Sequence, residues 1–199
     1  MKRFSVVLGT IALGACASIG GGDWVTLVDG QNGLENWNRI GDANWRADSG
    51  AIVADQGKGG FLVSKNAYTD FEIRAEFWAE TDTNSGIFIR CADPSKVNAK
   101  TCYEVNIWDI RPEPKYGTAA IVDLAAVPVP TVYKAGGRWN SYEIIAKGPQ
   151  LTVKFNGVTT VNVQDRTHAA GPFALQYGPG VKGVQGGPIK WRKVEIRPL

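Results

Sequence analysis

The chain has 199 residues, of which 44% are hydrophobic and 21% are charged, and its formal net charge is +3. The 7 Trp, 6 Tyr and 7 Phe residues with this low net charge exclude a disordered chain, and no apolar run is long enough for an ordinary membrane-spanning helix. A single His makes an enzyme built on a His cluster improbable. The length predicts one compact domain with a sizeable core.

The first residues are typical of an export signal, because Lys2 and Arg3 precede an apolar run over 4–13. The following Leu13-Gly14-Ala15-Cys16 resembles the bacterial lipobox, in which the Cys is acylated and becomes the first mature residue. We therefore predict a signal peptide over 1–15, lipidation at Cys16, a flexible tether over 16–23 and one domain over 24–199. The alternative is an ordinary secreted signal peptide that is cut near Ala15 or Ala17.

This leader changes how the charge is interpreted. Its removal leaves 20 basic and 19 acidic residues, a net charge of about +1. We expect an exported lipoprotein at the periplasm, outer membrane or cell surface, with the lipid anchor as its only membrane contact. Near-neutral charge and export both disfavour nucleic-acid binding.

Cys91 and Cys102 remain as a pair once Cys16 is assigned to lipid. They end two strand-like runs on either side of a polar loop over 92–101, in a compartment that favours disulfides. A disulfide across this loop is the preferred prediction. Two free buried thiols are the alternative.

From Trp24 onward, short apolar segments alternate with turns and show no helical period. Residues 71–80 alternate apolar and charged side chains, as a half-buried strand does, and Asn156-Gly157 is a strong hairpin-turn signal between Leu151 and Val163. The other predicted strands are Val25–Val28, Ala51–Ala54, Phe61–Ser64, Ile87–Cys91, Cys102–Trp108, Thr118–Val122, Tyr142–Ala146, Phe173–Tyr177 and Ile189–Ile196. About a dozen evenly spaced strands predict an all-β sandwich or jelly roll.

Alternation within two of these strands predicts a polar face. If Val105 and Ile107 face the core, then Glu104, Asn106 and Trp108 share the opposite face. By the same reasoning, Gly86, Phe88 and Arg90 share one face of the preceding strand. Aromatic rings stack on the apolar faces of sugars and planar polar groups bond their hydroxyls, so this composition suits a carbohydrate. The alternative is a solvated sheet face with an Arg–Glu cross-strand pair.

Other chemistry has little support in the sequence. The lone His168 is expected to be a loop or edge residue, since nothing supplies it with a catalytic triad. No EF-hand or His-rich spacing predicts a metal site, and no cofactor is expected with certainty, although calcium held by loop carboxylates is left open. The Gly-Lys-Gly-Gly over 57–60 lacks the strand-to-helix context of a phosphate-binding loop.

A series of short motifs in a fixed order resembles the family of 3-keto-disaccharide hydrolase domains, which are related in fold to concanavalin-A-like lectins and glucanases. The resemblance covers residues 24–199. The motifs are Leu27-Val28-Asp29-Gly30, Trp45-Arg46, Thr69-Asp70-Phe71-Glu72-Ile73-Arg74, Asn84-Ser85-Gly86-Ile87-Phe88-Ile89-Arg90, Tyr103-Glu104-Val105-Asn106-Ile107-Trp108-Asp109, Gly137-Arg138-Trp139-Asn140, Asn156-Gly157, Gly171-Pro172-Phe173-Ala174-Leu175-Gln176 and Trp191-Arg192-Lys193-Val194-Glu195-Ile196.

This resemblance implies a concanavalin-A-like β-sandwich that cleaves glycosides whose C3 hydroxyl has been oxidised to a ketone. The ketone acidifies the C2 proton, so one base, donors for the enolate oxygen and a proton source would suffice. We assign Glu104 as base and Arg90 as enolate stabiliser or sugar anchor, with Tyr177 or Asp109 as acid. The residues expected to bind the substrate are Asn84, Phe88, Asn106, Trp108 and Gln176.

The chain departs from the family pattern at two positions. The family usually has Gln where Asn106 stands, and often a Leu-Gln-x-His-Gly stretch where this chain has Leu175-Gln176-Tyr177-Gly178. Loss of that His favours the main alternative, a non-catalytic lectin-like module that binds carbohydrate on the same face. A scaffold lipoprotein with no ligand is the third hypothesis.

Overall fold

The structure is a computed structural model that describes residues 22–199. Within that range the backbone forms thirteen strands and three single-turn 3₁₀ helices at Leu34–Asn36, Pro114–Tyr116 and Val181–Gly183. The strands are β1 (Val25–Asp29), β2 (Trp37–Gly41), β3 (Arg46–Asp48), β4 (Ala51–Ala54), β5 (Gly60–Ser64), β6 (Phe71–Ala79), β7 (Ser85–Ile89), β8 (Tyr103–Ile107), β9 (Arg138–Lys147), β10 (Gln150–Phe155), β11 (Val158–Gln164), β12 (Ala174–Tyr177) and β13 (Ile189–Pro198). The predicted signal peptide and Cys16 lie outside the described residues.

The strands form two antiparallel sheets. The first, sheet A, has the order β11-β10-β9-β6-β13-β4-β3, and β1 also pairs with β13. The second, sheet B, has the order β2-β5-β12-β7-β8. These two sheets confirm the predicted all-β, concanavalin-A-like sandwich. No helix in residues 22–199 is both long and apolar enough to cross a membrane.

The main core lies between the two sheets. Phe77 of β6 stacks on Tyr142 of β9 with ring centres 5.2 Å apart, and Trp191 of β13 lies 5.5 Å from Phe77. Sheet B contributes the alternate residues Ile87, Ile89, Val105 and Ile107, which are almost fully buried. Period-2 alternation explains this arrangement, because every second side chain of each strand points inward.

A smaller apolar cluster covers part of the outer face of sheet B, the face that points away from the main core. It contains Val63, Phe88 and Ala174 from neighbouring strands, with Val97 from the loop over 92–101 packed against them. Cys91 and Cys102 close this loop through a disulfide with their Cα atoms 4.2 Å apart. The loop therefore forms a wall at one end of the outer face.

The free edge of β8 is covered by a segment that the sequence predicts as a strand, Thr118–Val122. This segment runs antiparallel to β8 and forms an isolated bridge between Ile121 and Val105. The backbone N–H of Val122 donates to the carbonyl oxygen of Glu104, and that of Asn106 donates to Ala120. The loop between β8 and β9 therefore forms a second wall beside the outer face.

Candidate functional site

The candidate site is the outer face of sheet B, and strand register fixes its layout. One row of residues across the sheet runs Asn38, Val63, Ala174, Phe88, Glu104. The next row contains Ile40, Phe61 and Gln176, and Gly86 lies opposite Asn106. Continuing the register of β12 and β7 by one residue brings Gln176 beside Gly86. The predicted sharing of a face by Glu104, Asn106, Gly86 and Phe88 is therefore correct.

Gly86 leaves a depression in the floor of this face. A Cβ atom at this position would lie 3.6 Å from Glu104 Cγ, 3.6 Å from Phe88 Cε2 and 3.0 Å from the carbonyl oxygen of Val105. The missing side chain therefore leaves a gap the size of a methyl group between the side chain of Glu104 and the ring of Phe88. Phe88 is held in place by Phe61, whose ring meets it edge-on at 5.4 Å.

Glu104 is the most unusual titratable group on the face. It is only 8% exposed, yet its carboxylate forms no hydrogen bond or salt bridge with any residue in 22–199. Burial raises the pKa of Glu104 to about 7; the positive charge of Arg111 lowers this pKa and the negative charge of Asp123 raises it. A buried carboxyl without a partner is costly to ionise, so the group is poised to exchange a proton near neutral pH.

Several buried polar atoms around Glu104 also have no partner among residues 22–199. They are Asn106 Oδ1, Trp108 Nε1, Arg111 Nε and Gln176 Oε1. The other side of the Asn106 amide is anchored, since its Nδ2 donates to the carbonyl oxygen of Tyr116 at 2.7 Å. Buried polar atoms in folded proteins are normally hydrogen-bonded. The two amide acceptors on this face, together with the Trp108 and Arg111 donors of the loop that follows β8, therefore fit a polar ligand rich in hydroxyl groups.

Arg111 is the basic residue of this face, and the sequence analysis missed it. It follows β8 in the Pro-containing loop, its guanidinium carbon lies 5.8 Å from the ring centre of Trp108, and its charge acts on Glu104. No strand periodicity extends into this loop, so alternation could not place the residue. The nearby Pro112 and Pro114 show that the loop is stiff, which was the only available signal.

Arg90 does not lie on this face, so its predicted sharing of a face with Phe88 is wrong. β7 ends at Ile89, and Arg90 has a left-handed backbone with φ of 52° that breaks the alternation. Its buried guanidinium donates to the carbonyl oxygens of Thr69 and Gly148 and to Asp70 Oδ1. Arg90 therefore ties loops together at the end of the sandwich instead of facing Glu104.

The two predicted acids also point elsewhere. Tyr177 is fully buried in the main core, on the opposite side of β12 from Gln176, and its hydroxyl donates to the carbonyl oxygen of Gly186. The carboxylate of Asp109 accepts hydrogen bonds from the Thr118 hydroxyl and from the backbone N–H groups of Ala135 and Gly136. Both side chains stabilise the fold through these hydrogen bonds, and neither lies next to Gly86 on the outer face of sheet B.

Asn84 lies at the rim of the face. Its side-chain Nδ2 donates to the carbonyl oxygen of Pro179 at 2.6 Å, and the backbone carbonyl oxygen of Asn84 accepts a hydrogen bond from the backbone N–H of Gly178. It therefore supports the Gly-rich loop over 178–188, which precedes β13.

Among residues 22–199, no group of three or more His, Cys, Asp or Glu side chains is arranged to hold a metal ion. Calcium binding stays a prediction.

The antiparallel two-sheet sandwich, with one outer face partly walled by loops, places the chain in the class of lectin-like β-sandwich folds. Residues 23–197 match the sequence model of the 3-keto-alpha-glucoside-1,2-lyase-like domain family. The chain belongs to this family. No protein with a curated description matches the chain in sequence.

Three solved structures show the same fold at low sequence identity. A proposed glycosyl hydrolase from Parabacteroides distasonis ATCC 8503 is 22% identical, with a TM-score of 0.70 over 89% of this chain and 100% of the other. A Bacillus subtilis protein of unknown function with a galectin-like fold is 11% identical, with a TM-score of 0.65 over 90% and 97%. Carbohydrate-binding module CBM66 from Bacillus subtilis is 12% identical, with a TM-score of 0.54 over 88% and 96%.

Proposed function

We propose that this protein cleaves the glycosidic bond of 3-keto-glycosides on the outer face of sheet B, with Glu104 as the base. The observation that carries the proposal is the buried, unpaired carboxylate of Glu104, on the same sheet face as Gly86 and the unpaired amide oxygens of Asn106 and Gln176. Membership of the 3-keto-alpha-glucoside-1,2-lyase-like family supports this reaction.

The proposed reaction is an elimination followed by hydration. Glu104 takes the C2 proton, and the electron pair moves to the C3 oxygen as an enolate. The enolate then collapses, the C1–O bond breaks, and the leaving oxygen takes up a proton to depart as an alcohol. Water adds at C1 and a proton returns to C2, which gives the free 3-keto sugar. The pair of carboxylates that flanks the bond in ordinary glycosidases is not required.

The cation that we propose for the enolate differs from the one predicted from the sequence. Arg90 was the predicted stabiliser, but its guanidinium is occupied by backbone carbonyls and Asp70. Arg111 lies on the Glu104 side of the sheet, with its Nε free of partners among residues 22–199. We assign Arg111 as the donor to the C3 oxygen, and Asn106, Gln176 and Trp108 as the groups that orient the ring.

Replacement of Glu104 by Gln tests this assignment. The variant keeps the shape of the side chain but cannot accept the proton, so turnover of a 3-keto-glycoside should fall by about 100-fold or more. In the wild-type protein, kcat/KM should rise with pH through a midpoint near 7, because only the ionised carboxylate acts as a base. Near wild-type turnover by E104Q would refute the role of Glu104.

A non-catalytic carbohydrate-binding module is the second candidate function. It is favoured by one observation: both predicted acids, Tyr177 and Asp109, point away from the face. Calorimetric titration of a parent glycoside, combined with product analysis of the 3-keto-glycoside, separates the two functions. Binding without product release supports the module. The same assay with EDTA, and then with added calcium, tests whether a metal is required.

We also propose that the protein is exported and lipidated at Cys16. The lipobox-like sequence before Cys16 and the glycine-rich segment that follows it support this proposal. Mass spectrometry of the protein from a lipoprotein-processing host should show a diacylglyceryl group on Cys16. Processing should fail in Cys16→Ala.

A further inference from the structure

The outer face of sheet A, the face that points away from the main core, carries Trp rings with cations stacked on them. Trp78 of β6 lies opposite Trp139 of β9, and Lys190 of β13 lies on the other side of Trp78. The Lys190 ammonium is 4.7 Å from the ring centre of Trp78. Trp139 is 37% exposed, and the guanidinium of Arg192 covers its ring. Two partly exposed rings and two cations therefore share one part of this face.

A third Trp ring lies where the described chain enters the fold. Trp24 directly precedes β1, and the guanidinium carbons of Arg74 and Arg197 lie 4.4 and 4.8 Å from its ring centre. These two side chains project from the outer face of sheet A, so Trp24 lies on that face as well. The backbone N–H of Gly22 donates to the carbonyl oxygen of Pro198 at 2.8 Å. The chain therefore enters the domain through sheet A.

The charges of this face are arranged in two layers. In every ion pair formed among β6, β9, β10 and β13, the cation is more exposed than the carboxylate. The side chains of Arg74 and Arg197 are 49% and 33% exposed, whereas that of their shared partner Glu72 is 7% exposed. Lys193 is 45% exposed and its partner Glu195 is 17% exposed. Because the nearer charges dominate the potential, the face presents positive charge to whatever approaches it.

Trp rings and exposed cations together match the surface of a lipid bilayer. Trp is enriched at the level of the lipid headgroups, and Lys and Arg near a bilayer are attracted to anionic lipids. A single small anion fits less well, because the cleft beside Arg192 on this face is also lined by Glu76 and Glu195. A broad anionic surface meets the outer layer of cations without entering that cleft.

We propose that the outer face of sheet A rests on the anionic lipid surface of the membrane that anchors the chain. This inference rests on the proposed lipidation at Cys16, and it adds a second contact to the lipid anchor. An extended chain from Cys16 to Gly22 spans at most about 22 Å, so the anchor keeps the domain close to the bilayer. Tethering raises the effective concentration, so a weak attraction is sufficient. The Glu104 face of sheet B then points away from the bilayer and stays open to substrate.

Vesicle co-sedimentation of an unlipidated chain over 18–199 tests the face without the anchor. This chain keeps both sheets and both apolar clusters, all of which lie within 22–199. It should partition onto vesicles of phosphatidylglycerol and phosphatidylcholine in equal amounts more strongly than onto phosphatidylcholine alone. The difference should shrink in 0.5 M salt, because salt screens the attraction.

The matched variants each remove two exposed or half-exposed Lys charges. Lys190→Gln with Lys193→Gln should lower the partition coefficient onto the anionic vesicles about tenfold. Lys65→Gln with Lys100→Gln is the control, because these residues lie after β5 and in the disulfide-closed loop, both on the sheet B side. Equal losses in the two double variants, or no preference for phosphatidylglycerol, would overturn the proposal. Retention by an anionic polysaccharide without vesicle binding would also overturn it.

The lipidated protein in vesicles then reports which face meets the bilayer. Brominated phosphatidylglycerol should quench part of its Trp fluorescence, and Trp139→Phe should reduce that quenching. Trp108→Phe, which changes the sheet B side, should leave it unchanged, and the opposite pattern would show that the domain lies the other way up. If Cys16 carries no acyl group but the 18–199 chain binds as expected, lipidation is refuted and the docking face survives.

Discussion

The outer faces of the two sheets differ in how their polar groups are paired. On sheet A, Arg197 bonds Glu72 and Arg192 bonds Glu76, each at 2.6 Å, and Arg192 also covers Trp139 with its guanidinium carbon 4.3 Å from the ring centre. On sheet B, Glu104 and the buried polar atoms around it have no partner within residues 22–199. The charged groups of one face are paired with each other, whereas several polar groups of the other face are left without a partner.

This difference explains why charge content alone does not reveal a binding site. Sheet A carries many more charged side chains on its outer face, but they are paired with one another and offer no unmet bonds, and the more exposed pairs, such as Arg192–Glu76, contribute little energy. Sheet B carries few charges, and their burial makes each unpaired atom costly. A ligand that satisfies those atoms gains binding free energy that a sheet A ligand would not.

The largest expected effect concerns Arg90, which lies on neither of the two outer faces and instead bonds the loops at one end of the sandwich. Arg90→Met would leave the carbonyl oxygens of Thr69 and Gly148 without their donor, so we expect a loss of about 3 kcal/mol in the free energy of unfolding. Urea denaturation measures this loss, and Arg39→Met, at an exposed position of β2, is the control, with an expected change below about 0.5 kcal/mol.

The same variant also tests the placement of Arg90 itself. Folded Arg90→Met protein should keep most of its turnover, measured well below its melting temperature. A stable variant with a large loss of turnover would instead return Arg90 to the functional face.

A second test uses the stability cost of ionising the buried carboxyl group of Glu104. Its pKa is about 7 in the folded protein and about 4.5 when exposed, so the folded state holds its proton more tightly. The stability that protonation contributes is present below pH 4.5 and is lost as the pH rises through 7. Glu104→Gln should therefore stabilise the protein by up to about 3 kcal/mol at pH 8 and by little at pH 4.5.

Urea denaturation at the two pH values measures this difference. Glu143→Gln is the matched control, because Glu143 lies on the outer face of sheet A and pairs with Lys154 at 3.4 Å. If the stability difference between E104Q and the wild-type protein does not change with pH, then ionising Glu104 does not destabilise the folded protein. The contrast between the two faces would then lose its main support.

A smaller effect is expected from Gly86→Ala, which tests whether a glycoside binds over Gly86. Gly86→Ala places a methyl group between Glu104 and Phe88 and against the carbonyl oxygen of Val105. Because the methyl group would also hold a bound sugar ring away from the face, we expect binding of a parent glycoside to weaken about tenfold, as calorimetric titration would measure. Ser141→Thr adds a methyl group to the outer face of sheet A and should leave binding unchanged. Unchanged binding in Gly86→Ala would mean that the sugar lies elsewhere.

Sequence reasoning succeeded where strand periodicity decides the outcome. The alternation of β8 placed Glu104 and Asn106 on one face, because a two-residue period leaves no other arrangement once Val105 is inside. It failed at Arg90, where one left-handed residue ends the period. Tyr177 follows Gln176 directly in β12, so alternation could already have excluded a shared face.

The remaining residues depend on loops that have no period. Arg111 and Asp123 lie between β8 and β9. The path of this loop depends on bonds to distant residues, such as the hydrogen bonds that the backbone N–H groups of Ala135 and Gly136 donate to the Asp109 carboxylate. The wall over 92–101 depends in the same way on Val97 packing across three strands. Tertiary contacts of this kind leave no local pattern in the sequence.

The smallest expected effect is on the paired face. Arg192→Ala breaks the bond to Glu76 and the contact with Trp139, but both partners are partly exposed, so the free energy of unfolding should fall by about 1 kcal/mol or less. The loss should shrink further in 0.5 M salt, because exposed ion pairs are screened. Turnover and glycoside binding should match the wild-type protein. A tenfold loss of either would show that sheet A also meets the ligand, since no bond on sheet B depends on Arg192, and the two faces would then have to be treated as parts of one site.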